Sequence, residues 1–114
     1  MDNIKESQFE TDIRNFFINI IKDHKIKEQL ENALLIKREW TRVGFYLKYK
    51  LKNEQLLISK KNQAINGPKI ESSQIESNGG SILWITDGFV DQIEIFAYGN
   101  WMDEKIINYK LKNN

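Results

Sequence analysis

The side chains in this chain best suited by type to chemistry are carboxylates. Asp87, Asp91 and Glu94 fall close together, and Asp103 and Glu104 are adjacent. General acid–base catalysis needs two carboxylates held in unlike environments beside a cleft, so that one keeps its proton at neutral pH. The spacing here places these acids at a turn or on the wet positions of a strand, which does not meet that requirement. The plainer reading is solvated acid that keeps an edge hairpin from pairing with another chain. His24 is the sole histidine and stands at a helix junction. A metal ligand or general base there competes with a capping or solvent-facing role. No cysteine is present, which removes a disulfide framework, a thiolate zinc site and a cysteine nucleophile. Glycine-rich phosphate loops, dinucleotide fingerprints, nucleophile elbows and calcium loops are missing as well. The expectation is a protein without catalysis, cofactor or metal.

The acids carry a different message when read as a distribution. From Glu71 to Glu104 there are seven acidic side chains and no lysine or arginine. Residues 1–70 hold 14 basic against 9 acidic side chains, and residues 71–114 hold 3 against 7. The formal charge of +1 hides this asymmetry. Charge asymmetry governs partners and encounter rates more than fold.

These groups must be positioned by one domain, because 114 residues support a single core. Ser7 and Glu10 form a capping box, in which each side chain satisfies the other's backbone amide. Phe9, Ile13, Phe16, Phe17, Ile20 and Ile21 follow at helical spacing, with Glu10, Arg14, Asn15 and Lys22 opposite. This predicts an amphipathic helix over 8–23 whose aromatic stripe faces a core. Ile26, Leu30, Ala33 and Leu34 predict a second, shorter helix over 26–35.

The period then changes to two. Val43, Phe45, Leu47, Tyr49 and Leu51 alternate with Arg42, Tyr46, Lys48, Lys50 and Lys52, giving a half-buried strand with a basic wet face. Leu56–Ser59 and Lys69–Ile75 are candidate short strands between turn signals at Asn66-Gly67-Pro68 and Asn78-Gly79-Gly80. Ser81–Thr86 and Phe89–Ala97 read as strands flanking Asp87-Gly88, a dipeptide that accepts positive φ at both turn positions. The predicted fold is α+β: N-terminal helices, one long and one short, pack on one face of an antiparallel sheet of about four to five strands, with a C-terminal Asp-Gly hairpin. Apolar runs fall short of the about 18 residues of a membrane span, and the start of the chain lacks a signal-peptide pattern, so a cytoplasmic location is expected.

The run Arg38-Glu39-Trp40-Thr41-Arg42-Val43-Gly44-Phe45-Tyr46 is one half of a resemblance. The other half is Gly80 to Gly88 followed by Ile93-Glu94-Ile95-Phe96-Ala97-Tyr98-Gly99, then Trp101 and Tyr109-Lys110-Leu111. Over roughly residues 38–111 the chain resembles small bacterial immunity proteins of polymorphic toxin and contact-dependent growth inhibition systems. The N-terminal helices lie outside the likeness. Ile93, Ala97, Met102 and the lack of a proline after Trp101 depart from its pattern. The resemblance implies an immunity role: one cognate toxin C-terminal domain is bound and blocked, without chemistry.

Secreted toxins that act on nucleic acid need basic clefts, for which an acidic surface with aromatic anchors is complementary. The expected partner-binding set is therefore Glu71, Glu76, Asp87, Asp91, Glu94, Trp101, Asp103 and Glu104, facing a basic, nuclease-type toxin. Trp84, Phe96, Tyr98 and Trp101 are the candidate anchors, with core packing as the alternative for each. The chain is expected to act as a monomer or weak homodimer, with no membrane and no nucleic acid. The rival reading is a nucleic-acid-binding or regulatory module using the basic strand of Arg42, Lys48, Lys50 and Lys52 with Tyr46.

Overall fold

A computed structural model describes residues 4–51, 62–101 and 104–114. Two helices come first, α1 (Gln8–Ile20) and α2 (His24–Glu31). Among the described residues seven strands follow: β1 (Ala33–Trp40), β2 (Gly44–Leu51), β3 (Gln63–Asn66), β4 (Lys69–Glu71), β5 (Gly79–Thr86), β6 (Phe89–Ala97) and β7 (Lys110–Lys112). All pair antiparallel in one sheet of order β1-β2-β6-β5-β4-β7, with β3 also pairing β5. The α+β class matches the sequence expectation, and the sheet is larger than the four to five strands expected.

The capping box forms as its residues require. The Ser7 hydroxyl accepts from the Glu10 amide at 3.1 Å, and the Glu10 carboxylate accepts from the Ser7 amide at 2.8 Å. Phe9, Ile13 and Phe17 of α1 and Ile26 and Leu30 of α2 are buried against one face of the sheet. That face supplies Leu35, Phe45, Leu47, Tyr49, Leu83, Ile85, Val90, Ile93 and Ile95. Burying such a side chain stabilises the fold by about 1.5–3 kcal/mol each before entropy is counted.

The second helix is shorter than its periodicity predicts. Asp23 caps its start by accepting from the Lys25 and Ile26 amides, and Asn32 ends it. Ala33 and Leu34 then belong to β1, where Ala33 pairs with Leu51 and Leu34 with Lys50. A strand partner outweighs the helix propensity of Ala-Leu-Leu. His24 opens α2 as an exposed residue.

Gly67 and Pro68 divide what would be a single strand into β3 and β4, both lying along the same side of β5. Proline lacks the amide a sheet ladder uses. The Ser81 hydroxyl donates to the Pro68 carbonyl there, and the Gly67 amide donates to the Ser81 carbonyl. The expected strand over 69–75 stops at Glu71, and Leu56–Ser59 lies outside the described residues. Asp87 and Gly88, both at positive φ, link β5 to β6. These two strands are central rather than an edge, and β7 comes after them. The lysine-bearing β2 is internal too, between β1 and β6. Gly44, where β2 begins, is fixed by contact: a Cβ there would sit 1.8 Å from the Ile95 carbonyl oxygen.

Candidate interaction surface

The two faces of the sheet differ in how they hold charge. On the helix-covered face, Arg38 of β1 pairs with Leu47 in register and reaches the buried carboxylate of Glu10, with a second contact from Nη2 at 2.5 Å. This hydrogen bond raises the Arg38 pKa further. Glu6 accepts from Arg14 at 2.6 Å and from the Tyr49 hydroxyl at 3.3 Å. Arg14 also donates to the carbonyls of Leu30 and Ala33. Burial and the neighbouring Glu6 push the Tyr49 phenol far up. Glu10 with Arg38 and Glu6 with Arg14 are thus matched, as burial demands.

The opposite face has no described helix or strand over it. Strand alternation sends Tyr46, Lys48 and Lys50 of β2 there, because Phe45, Leu47, Tyr49 and Leu51 point inward. Register adds Lys37 beside Lys48, Glu94 between Tyr46 and Ile82, and Gln92 between Lys48 and Trp84. Asp91 lies where the register of β5 and β6 shifts, and accepts from the Thr86 hydroxyl at 3.1 Å. Trp84 is 36% exposed, and its indole N–H donates to Glu94 Oε1 at 3.1 Å. Phe96 lies over Gly80, where an added Cβ would come within 2.8 Å of the ring, and Tyr98, 66% exposed, packs edge-on against Phe96. The result is a mixed surface, with lysines on β1 and β2, carboxylates on β6, and Trp84 beyond them on β5.

The sequence-predicted site residues do not form one patch. Asp87, Asp91 and Glu94 share the β5–β6 pair, with the Asp87 amide donating to Asn62 at the turn. Glu71 is on β4, ion-paired to Lys112 at 3.0 Å. Glu76 sits beside Asn100, past the far end of β5 and β6, and accepts from its side-chain amide. Glu104 is exposed and lines a cleft of about 690 Å3 with Lys5, Ser7, Arg38 and Phe45. Asp103 lies outside the described residues.

Trp101 is a correction. It is buried, with its ring edge-on to Trp40 at 5.9 Å and Phe45 at 5.5 Å, and near Phe9. It is a core residue and cannot be offered to a partner in the folded chain. Of the four candidate anchors, Trp84, Phe96 and Tyr98 reach the open face and Trp101 does not. Sequence reading missed Lys37 and Ile82 on that face. Ile82 hides within an apolar run, and Lys37 joins only through the pairing of β1 with β2, just past the helix expected over 26–35.

β2 and β6 part company beyond the Lys48–Gln92 pair. Fully buried Gln29 of α2 fills the gap from below, donating to the Gly88 carbonyl at 3.0 Å and accepting from the Val90 amide at 2.7 Å. An amide side chain thus replaces the missing strand partner. A cleft of about 470 Å3 opens above, lined by Lys50, Thr86, Asp87 and Asp91.

Among the described residues, no group of three or more His, Asp or Glu side chains could hold a metal ion, and no helix is long and apolar enough to cross a membrane. No family model, no curated protein and no solved structure matches this chain.

Proposed function

We propose that this chain is an immunity protein that binds one toxin C-terminal domain in the cytoplasm and neutralises it by occlusion, acting as a monomer or weak homodimer. The observation that carries this reading is the open sheet face, on which Trp84, Phe96 and Tyr98 are exposed or half-exposed beside lysines and carboxylates. Large aromatics amid polar groups on a rigid sheet make a protein-recognition surface. The resemblance of residues 38–111 to immunity proteins supports the same reading.

The recognition surface comprises Trp84, Phe96, Tyr98, Asp91 and Glu94, with Asp87 at the turn of the Asp-Gly hairpin. Glu71, Glu76 and Glu104 stand apart from it, so a single acidic patch does not carry docking. Co-expression with the toxin encoded beside this chain tests the proposal: growth is restored by the wild type and reduced by Trp84→Ala with Tyr98→Ala. Unchanged killing in the presence of the folded wild type rejects it.

A second reading draws on Lys37, Lys48 and Lys50 next to Tyr46, which could stack and neutralise single-stranded nucleic acid. It predicts binding to an oligonucleotide that falls steeply with salt.

A further inference from the structure

We infer that the open face recognises a partner surface of two charges: an anionic side chain over Lys48 and Lys50 of β2, a cationic one over Asp91 and Glu94 of β6, and an apolar group seated on Trp84 of β5, beyond the acids. This rests on the immunity reading and deepens it by naming the toxin surface.

The first ground is an unfavourable arrangement inside the sheet. Lys37 and Lys48 are direct cross-strand partners on the same face, and like charges so placed repel. The relief is slight, a Lys37–Glu39 contact at 4.0 Å between two exposed side chains. Lys50, next along that face of β2, adds a third positive charge opposite apolar Leu34. An anionic group from outside removes this repulsion.

The second ground lies on the neighbouring strand. Glu94 is within reach of β2, being the register partner of Tyr46. Its carboxylate turns the other way, to the Trp84 indole on β5. Asp91 likewise turns to Thr86. Among the described residues no lysine or arginine lies within 4.0 Å of Asp91 or Glu94. Opposite charges on adjacent strands therefore stay apart in the free protein. The Trp84 hydrogen bond holds an acceptor and an apolar ring in one fixed unit, the preorganised form an interface anchor takes.

Charge complementarity then decides the occupant. A polyanion would meet the lysines favourably and the β6 carboxylates unfavourably. A uniformly basic protein would meet the reverse. A bipolar protein surface satisfies both columns, and like-charge contacts reject other partners.

The experiment uses two double variants on the open face, Lys48→Glu/Lys50→Glu and Asp91→Lys/Glu94→Lys, with Lys48→Gln/Lys50→Gln and Asp91→Asn/Glu94→Gln as gentler forms. The dissociation constant is measured for the purified toxin domain encoded beside this chain, and for a 20-nucleotide single strand. The inference predicts that both reversals weaken toxin binding by about tenfold or more, and the neutral forms by less. It is overturned if the lysine reversal strengthens toxin binding, which marks a basic partner. It is equally overturned if the acid reversal tightens binding of either probe, which marks an anionic one. Toxin binding by the wild type with neither reversal having an effect overturns the inference while the immunity reading stands; absence of toxin binding removes both.

Discussion

One sheet presents two faces that handle charge in opposite ways. Beneath the helices, Glu10 meets Arg38, Glu6 meets Arg14, and Tyr49 donates to Glu6. On the open side, Lys48, Lys50, Asp91 and Glu94 have no ionic partner among the described residues. The difference follows from solvent. A buried carboxylate without a partner costs several kcal/mol, whereas water satisfies an exposed one at little cost. The covered charges are therefore structural. The open ones are free to meet another molecule.

Substitutions that separate stability from binding would break or sharpen this contrast. The largest effect is expected at Glu10. Glu10→Ala strands Arg38 in the covered face and should lower unfolding free energy by about 3–5 kcal/mol in urea titrations, less any relief from the partly exposed guanidinium. Adding Arg38→Leu to Glu10→Met should recover much of that loss, since a well-packed apolar pair replaces an ion pair without penalty. A smaller loss, about 2 kcal/mol, is expected from Gln29→Leu, which leaves the Gly88 carbonyl and the Val90 amide without their partner.

Alkali should weaken the covered side next. Burial and the hydrogen bond to Asp12 push Tyr109 up to about 12, and Tyr49 is raised as well. A raised phenol favours the folded state while it is protonated. That stabilisation is complete below the unfolded value of about 10 and is lost as pH rises towards 12. Thermal unfolding scans between these values should show falling stability, with a shallower fall in Tyr109→Phe. The smallest stability change belongs to the open face. Lys48→Gln with Lys50→Gln should stay within about 0.5 kcal/mol of wild type in the same urea titration. Equal destabilisation by the open-face and Glu10 substitutions would erase the distinction between the two faces.

What the sequence disclosed depended on how local each signal was. The start of α1 was legible because Ser7 and Glu10 are three residues apart, and β2 because its alternation runs unbroken from Phe45 to Leu51. The second role of Glu10 was hidden, since Arg38 is 28 residues away. The start of β1 read as helix because Ala33 and Leu34 extend the spacing set by Ile26 and Leu30. β3 and β4 are too short to show a period. The acidic stretch looked like one feature along the chain, yet it runs from β4 through β5 and β6 and beyond, so its carboxylates part. Trp101 resembled an anchor because its burial is made by Phe9, Trp40 and Phe45, each contributed by a different element.

Hydroxyl-radical footprinting of the free chain and of its complex with the adjacent toxin domain tests the open face most directly. The account predicts that oxidation of Trp84, Phe96 and Tyr98 falls on binding, while Phe16 and Tyr109 on the helix side keep their reactivity. Protection of Phe16 and Tyr109 with Trp84 unchanged would contradict it.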